Sequence, residues 1–426
     1  MMNDTIFEMA TSNLRCGKGA TAEVGMDLAD LGAKKVMVVT DPLLSKSAPV
    51  QIVLEAIERE KIPFALFDRV HVEPTDASFK EAIAFAGEGG FDAFVAVGGG
   101  SSMDTAKAAN LYSTYPPADF FDYVNAPVGK GLPVPGPLKP LIAIPTTAGT
   151  GSETTGVAIF DLVELKAKTG IAHRRLKPTL GIIDPDNTRT LPPAVAACTG
   201  LDVLSHAIES YTTLPYNQRP HPARPLLRPS YQGANPISDV WALQALHMVA
   251  RYLPRAVADQ GDEEARSQMM LAAAFAGMGF GNAGVHLPHG MSYPVAGMVE
   301  KFVPPGYQVD HAMVPHGMAV ILNSPAVFRF TAPACPQRHL EAAAALGVDI
   351  SRASEADAGP ILADRLIALM QQLGMPSGLR AIGYGNEDIP ALVQGTLPQH
   401  RVTKLSPRPF GEAELAGLFA DAMVYW

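Results

Sequence analysis

Residues 95–110, "VAVGGGSSMDTAKAAN", run from a β-branched strand through three glycines into a helix. Its first turn carries Ser101, Ser102 and Asp104. Glycines let a backbone approach a phosphate closely, and free amides at a helix start attract anions. A tight strand-to-helix turn would account for the glycines equally well. Working outward, "KKVMVV" (34–39), "FALFDRV" (64–70) and "AFVAV" (93–97) read as strands, separated by helical stretches near 48–60 and 76–88. This switching between periods of 2 and 3.6 is the pattern of βαβ units, so the first part is predicted to be an α/β domain with a mostly parallel, Rossmann-like sheet. "PLIAIPTT" (140–147) reads as a further buried strand, and "GVAIFD" with "TGIAH" (169–173) as a pair of strands.

Asp41 ends the first of these strands in "VVTDP". A carboxylate there suits an adenosine ribose and repels a 2′-phosphate, which favours NAD over NADP. "PTTAGTGSE" (145–153) adds a second run of small and hydroxyl residues after a strand. The ordinary dinucleotide fingerprint, with glycines after the first strand and an acid about twenty residues later, is absent, because here the order is reversed.

After "IIDPDNTRTLPP" the texture changes to Ala-, Leu- and Met-rich amphipathic stretches such as "WALQALHMVARYL" (241–253). We therefore divide the chain into an NAD-binding α/β domain, 1–188, and an all-α metal-binding domain, 189–426. Residues 214–236 hold six prolines in 23 residues, which forbids a continuous helix and marks an insertion. On a predicted helix, "TGLDVLSHAIESY" (199–211) places Asp202 and His206 at i and i+4, on one face about a turn apart. "NAGVHLPHGMSYPVAG" (282–297) supplies His286 and His289, and "VPHG" supplies His316. Asp202, His206, His289 and His316 can assemble a four-ligand metal site from several helices. One carboxylate with imidazoles suits Fe(II) or Zn(II) and leaves the two undistinguished.

Composition bounds the rest. The 426 residues suffice for two or three domains, and 47% hydrophobic with 18% charged residues fits a globular protein. A net charge of -9 leaves no basic footprint for nucleic acid. Three scattered cysteines, Cys16, Cys198 and Cys335, argue for a reducing compartment and against a disulfide framework. The first residues resemble neither a secretory signal nor a transit peptide, and no run has the length of a membrane span. A cytoplasmic enzyme is expected.

"GGGSSMDTAKA", "PTTAGTGSE", "TGLDVLSHAIE", "HGMSYPVAG" and "PHG", in this order on one chain, resemble the iron-containing (group III) alcohol dehydrogenases over nearly the whole length. The resemblance implies a metal held by Asp202, His206, His289 and His316. It also implies a cofactor site at Asp41, Gly98, Gly99, Gly100, Ser101, Thr146, Thr147 and Lys168, with Asp104 in the same helical turn. "FEMATSNLRCG", "YTTLPYN", "RPSYQGANPISD", "VDHAMVPHG" and "KLSPRP" are similar to the branch of that family that oxidises 4-hydroxybutyrate to succinic semialdehyde while reducing 2-oxoglutarate to 2-hydroxyglutarate on a nicotinamide that stays bound. The rival readings are a dehydrogenase of the same family with exchangeable NAD, and a dehydroquinate-synthase-like lyase. A small-molecule hydroxy acid and oxo acid are the expected partners, with a homo-oligomer, a dimer, as the expected form. Many family members read "HGMAH" and use the second histidine near the nicotinamide as a proton relay. Tyr293 stands there in this chain, so Tyr293 and His286 are the candidate proton-handling residues, with packing as the plain alternative for each. Arg219, Arg224 and Arg228 of the insertion are the candidates for gripping a substrate carboxylate, with solvated loop arginines as the plain alternative.

Overall fold

The computed structural model of the chain describes residues 3–164, 167–309 and 311–426. Two compact units result. One is Ala10–Leu191; the other joins residues 3–9 to Pro192–Trp426. The break falls between Leu191 and Pro192, and the return of the N-terminal segment to the second unit is not foreseen by a simple cut along the sequence.

The first unit contains β1 (Asn13–Cys16), α1 (Val24–Asp30), β2 (Val36–Val39), α2 (Ala48–Arg59), β3 (Phe64–Phe67), α3 (Asp76–Gly89), β4 (Ala93–Gly98), α4 (Gly100–Thr114) and β5 (Leu141–Pro145). The antiparallel pair β6 (Val157–Leu162) and β7 (Ala167–Ala172) follows, then β8 (Leu180–Ile183). Six parallel strands lie in the order β1-β8-β5-β4-β2-β3. Alternate residues serve opposite faces. Val36, Val38, Val95, Val97, Ile142 and Ile144 pack against Val24, Leu28, Val50, Val53 and Ile57 of α1 and α2. Met37, Val39, Phe94, Ala96 and Ala143 pack against Ala82 and Ala86 of α3 and Met103 and Ala106 of α4. A parallel sheet covered on both faces reads as continuous apolar runs, which is why these strands stood out in the sequence. β1 did not, because a four-residue edge strand with exposed ends carries little pattern.

From β2 the chain moves outward to β3 and then crosses back to β4 on the other side of β2. Open α/β sheets bind ligands where the strand order reverses in this way, beyond the carboxyl ends of the two strands, here β2 and β4. Asp41 and Thr146–Thr147 follow β2 and β5, and Gly98–Ser101 run from the last residue of β4 into the start of α4.

The second unit is helical, with no strand among its described residues. α5 (Pro193–Thr212) packs against α6 (Pro236–Ala258), α7 (Glu263–Ala283) and α9 (His316–Ile321). Between α7 and α8 (Leu287–Gly297) the chain turns by 104°. No single helix among the described residues is long and apolar enough to cross a membrane.

The Pro-rich insertion is held by residues 3–9. Asp4, fully buried, accepts from Arg228 Nε at 2.9 Å, pairs with Arg219 Nη2 at 2.8 Å and lies 3.1 Å from His221 Nδ1. Its backbone N–H donates to Arg219 O, while Glu8 and Gln232 exchange two hydrogen bonds. Arg219 and Arg228, expected to grip a substrate, are thus drawn to a carboxylate of the chain itself; Arg224 is exposed. The Arg228 hydrogen bond, working against burial, holds the Asp4 carboxyl well below the usual carboxylate range. A depressed folded-state value means stability present above the unfolded value near 4 and lost as pH falls below it. Asp4→Asn should therefore lower the thermal midpoint by roughly 5 °C or more at neutral pH, since it strands a buried arginine. Calorimetric melts should show the gap to the native chain closing below about pH 4, and a gap independent of pH would refute the assignment.

Candidate functional site

α5 is buried along most of its length, and Asp202, His206 and Glu209 share one of its faces. Asp202 and His206 are 2% and 4% exposed, so neither is a solvated surface pair. His206 Nδ1 lies 3.7 Å from Asp202 Oδ2, and His289 Nε2 lies 3.6 Å from Asp202 Oδ1. His316, at the start of α9, brings Nε2 within 3.8 Å of Asp202 Oδ1. It comes so near because the next residue is Gly317: a Cβ there would sit 2.0 Å from Cys198 O and 2.9 Å from Asp202 Cβ.

Asp202 Oδ1, His206 Nδ1 and His289 Nε2 are all buried without a hydrogen-bond partner. One ligand atom from each of the three residues falls within 4.8 Å of the others. Three orphaned buried polar atoms converging on one point are costly unless a cation satisfies them, and this donor set fits a divalent metal. Burial outweighs Asp202 at His206 and lowers its pKa to about 3, leaving the neutral imidazole a ligand requires. The ring also stacks on Phe280, 3.9 Å between centroids and 6° from parallel. Burial alone would raise the Asp202 carboxyl, but His206, His316 and His289 hold it well below the ordinary carboxylate range.

Glu209 is the residue that reading the sequence missed. Fully buried, it accepts a hydrogen bond from His289 Nδ1 at 2.5 Å and another from the backbone N–H of His286 at 2.7 Å. It therefore caps α8, whose own N-cap residue, His286, supplies no side-chain cap. It also fixes the His289 tautomer so that Nε2 faces Asp202. At His289 burial opposes charge, yet Glu209 and Asp202 prevail and raise the pKa to about 10. A proton and a metal thus compete for this imidazole. Its signal was present in "HAIE": a carboxylate three residues beyond His206, on the face already assigned to the metal. Glu209→Gln is expected to weaken metal binding roughly 10- to 100-fold, read by chelator competition. An unchanged metal affinity would remove the orienting role.

The two candidate proton carriers are differently placed. His286 is fully buried, donates from Nε2 to Thr212 Oγ1 at 3.0 Å and meets Phe328 edge to face. Burial brings its pKa down to about 4, which leaves it a neutral packing residue. Tyr293, 4% exposed, accepts a hydrogen bond from Arg401 Nη2 at 2.5 Å.

In the α/β unit the glycine turn packs on the loop after β5. Thr146 N donates to Gly98 O, and a Cβ on Gly100 would lie 2.7 Å from Thr150 Cγ2. Gly99, the N-cap of α4, offers no side-chain cap to that helix start. Asp41 Oδ1 accepts from Leu43 N and Leu44 N, fixing the carboxylate at the strand end. Asp104 accepts from Ser152 Oγ at 2.6 Å and from Ile159 N at 2.9 Å, so it joins α4 to that loop and to β6. Lys107, buried beside it, donates to Ser152 Oγ and Val157 O and was not foreseen. Lys168 is a correction: its ammonium is 3% exposed and ion-paired with Glu73 at 2.6 Å and Asp161 at 3.1 Å, so it is committed within the protein. Its link to the turn is indirect, through Glu73, whose backbone N–H reaches Ser101 Oγ.

Residues 11–185 match the iron-containing alcohol dehydrogenase family, and residues 230–423 match the C-terminal part of that family. The chain belongs to the iron-containing alcohol dehydrogenase family and is a metal-dependent oxidoreductase. Within it, the chain is 61% identical over 421 residues to the mitochondrial hydroxyacid-oxoacid transhydrogenase of Pongo abelii and 60% identical to that of Homo sapiens, matching 99% of this chain and 90% of each relative. Among solved structures, 1,3-propanediol oxidoreductase aligns with a TM-score of 0.85 at 30% identity, covering 98% of this chain and all of the other. Sulfoacetaldehyde reductase from Bifidobacterium kashiwanohense in complex with NAD+ aligns at 0.79 and 27% identity, covering 98% and 99%. The α/β-plus-helical fold expected from the sequence is borne out. The cytoplasmic expectation is overturned, since these relatives are named as mitochondrial proteins. The physical reason is that import receptors read a leader and not the folded domain, so domain composition is no guide to it.

Proposed function

We propose that this chain is a hydroxyacid-oxoacid transhydrogenase, passing hydride from 4-hydroxybutyrate to 2-oxoglutarate and yielding succinic semialdehyde and 2-hydroxyglutarate. The observation that carries the reading is the identity of about 60%, over nearly the whole chain, with proteins of that name. Asp202, His206, His289 and His316 would hold the metal, taken as Fe(II) from the family, and Asp41, Gly98–Ser101, Thr146 and Thr147 would hold NAD. When bound, the metal supplies Lewis-acid polarisation of the substrate oxygen, and the nicotinamide supplies a site that takes up and returns hydride.

The chain's own residues do the holding. Glu209 keeps Nε2 of His289 turned inward, and Phe280 keeps the His206 ring in plane. Asp202 contributes the one negative charge of the set, so a divalent ion there keeps net positive charge toward an anionic substrate. Oxidation of the alcohol releases one proton and reduction of the ketone consumes one, so the cycle needs no net proton source. His286, neutral and enclosed, serves packing in this reading.

Incubation of the purified protein with 4-hydroxybutyrate and 2-oxoglutarate, without added NAD, should form 2-hydroxyglutarate. Stoichiometric reduction of added NAD by 4-hydroxybutyrate, with no oxo acid required, would instead identify a dehydrogenase with exchanging cofactor. Metal analysis with reconstitution by Fe(II) or Zn(II) decides the ion.

A further inference from the structure

Arg401, in the short helix His400–Thr403, is half-buried, with no carboxylate paired to it among the described residues. Its Nη2 donates to Tyr293 Oη, its guanidinium lies over the Tyr231 ring at 5.2 Å, and its Nη1 is buried without a hydrogen-bond partner. Among the described residues it forms no ion pair. An enclosed guanidinium nitrogen with no acceptor, on a cation whose neighbours are two neutral phenols, is unfavourable unless an anion completes it.

Its position is tied to the metal cluster along two paths. Tyr293 is four residues beyond His289 on α8, about 6 Å of helix rise. Gly290, next to His289, has no Cβ to keep Thr403 away: one would sit 2.5 Å from Thr403 Cγ2, so the Arg401 helix lies directly on the ligand-bearing turn. On the other path, Tyr231 meets Phe280 edge to face at 6.3 Å, and Phe280 stacks on His206.

We propose that Arg401 recognises the substrate carboxylate in both half-reactions, an inference that rests on the transhydrogenase reading for the identity of the substrates. In 4-hydroxybutyrate the carboxylate carbon is three bonds from the carbinol carbon. In 2-oxoglutarate the distal carboxylate carbon is likewise three bonds from the keto carbon. One guanidinium at a constant distance from the reacting oxygen therefore serves donor and acceptor alike. Tyr293 and Tyr231 hold its plane while leaving Nη1 for the ligand, and a planar guanidinium matches a carboxylate in two parallel hydrogen bonds.

The test uses the holoprotein and two readouts: calorimetric binding of 2-oxoglutarate, and reoxidation of the reduced nicotinamide by 2-oxoglutarate against butanal, which lacks the carboxylate. Arg401→Met should weaken 2-oxoglutarate binding and raise its half-saturating concentration about 100-fold, with butanal unchanged. Tyr293→Phe, which keeps the ring and removes the acceptor that orients the guanidinium, should produce a rise of about 5-fold in the same quantities. Arg401→Lys should fall between them. Equal losses for 2-oxoglutarate and butanal, or unaltered 2-oxoglutarate binding, would overturn the proposal. Should Arg401→Met not fold, unchanged binding in both Arg401→Lys and Tyr293→Phe overturns it as well. If 2-oxoglutarate binds through Arg401 yet accepts no hydride, the transhydrogenase reading fails while the carboxylate site stands.

Discussion

Asp202→Asn is expected to yield a folded protein without metal, its activity reduced by roughly three orders of magnitude or more. The substitution keeps the side-chain volume, so the packing of α5 against α9 is preserved and the loss is one of charge. Asp202 is the only anionic member of the cluster, and His206, His289 and His316 all approach its two oxygens. An amide would present two donor hydrogens in place of one oxygen and remove the charge that offsets the cost of placing a dication in a buried site. Elemental analysis of the purified variant reads the metal, and a melt confirms the fold. Full metal occupancy in Asp202→Asn would refute the ligand assignment, because a structural carboxylate could tolerate the amide while a metal ligand could not.

The second large effect is expected at the cofactor turn. Gly100→Val should reduce nicotinamide bound to the purified protein by roughly 100-fold while leaving the metal content of the helical unit intact. A Cβ at position 100 would lie 2.7 Å from Thr150 Cγ2 and 3.0 Å from its Oγ1, so valine pushes the start of α4 away from the loop that Thr146 and Thr147 belong to. Gly100→Ala should show a smaller loss, since Thr150 can turn aside for one methyl more easily than for three carbons. Extraction of the protein and quantitation of released nicotinamide measures the effect. Undiminished nicotinamide in Gly100→Val would show that the glycines serve only the turn.

The α/β half was legible because parallel strands buried on both faces are continuous apolar runs, and Val36–Val39, Ala93–Gly98 and Leu141–Pro145 are such runs. The edge strand Asn13–Cys16 is half solvated and short, so its residues carry no such pattern. The metal cluster was legible for a different reason: imidazoles and a carboxylate at helical spacing are rare on apolar faces, so Asp202 and His206 stood out beside the later histidines. Glu209 was harder to see because a glutamate on a helix is ordinarily a solvated residue. Only its burial and its bonds to His286 and His289 reveal that it orients the His289 ring.

By itself, then, the order of residues determined the two textures of the chain, the strands of the sheet, the glycine turn and the residue types gathered at the metal cluster. These are local properties, set by periodicity, turn chemistry and spacing within one element. Tertiary structure alone decided which charged groups are already committed and which are not. Arg219 and Arg228 lie in one insertion and looked available, yet Asp4, more than 200 residues earlier, takes them. Lys168 was implied for the cofactor site by the family resemblance, yet Glu73 and Asp161 pair with its ammonium. Arg401 attracted no attention as a single arginine near the C-terminus, yet it is the cation left facing the phenols of Tyr293 and Tyr231. Ion pairing depends on distance through space and on desolvation, and neither quantity is written in the spacing of residues along a chain.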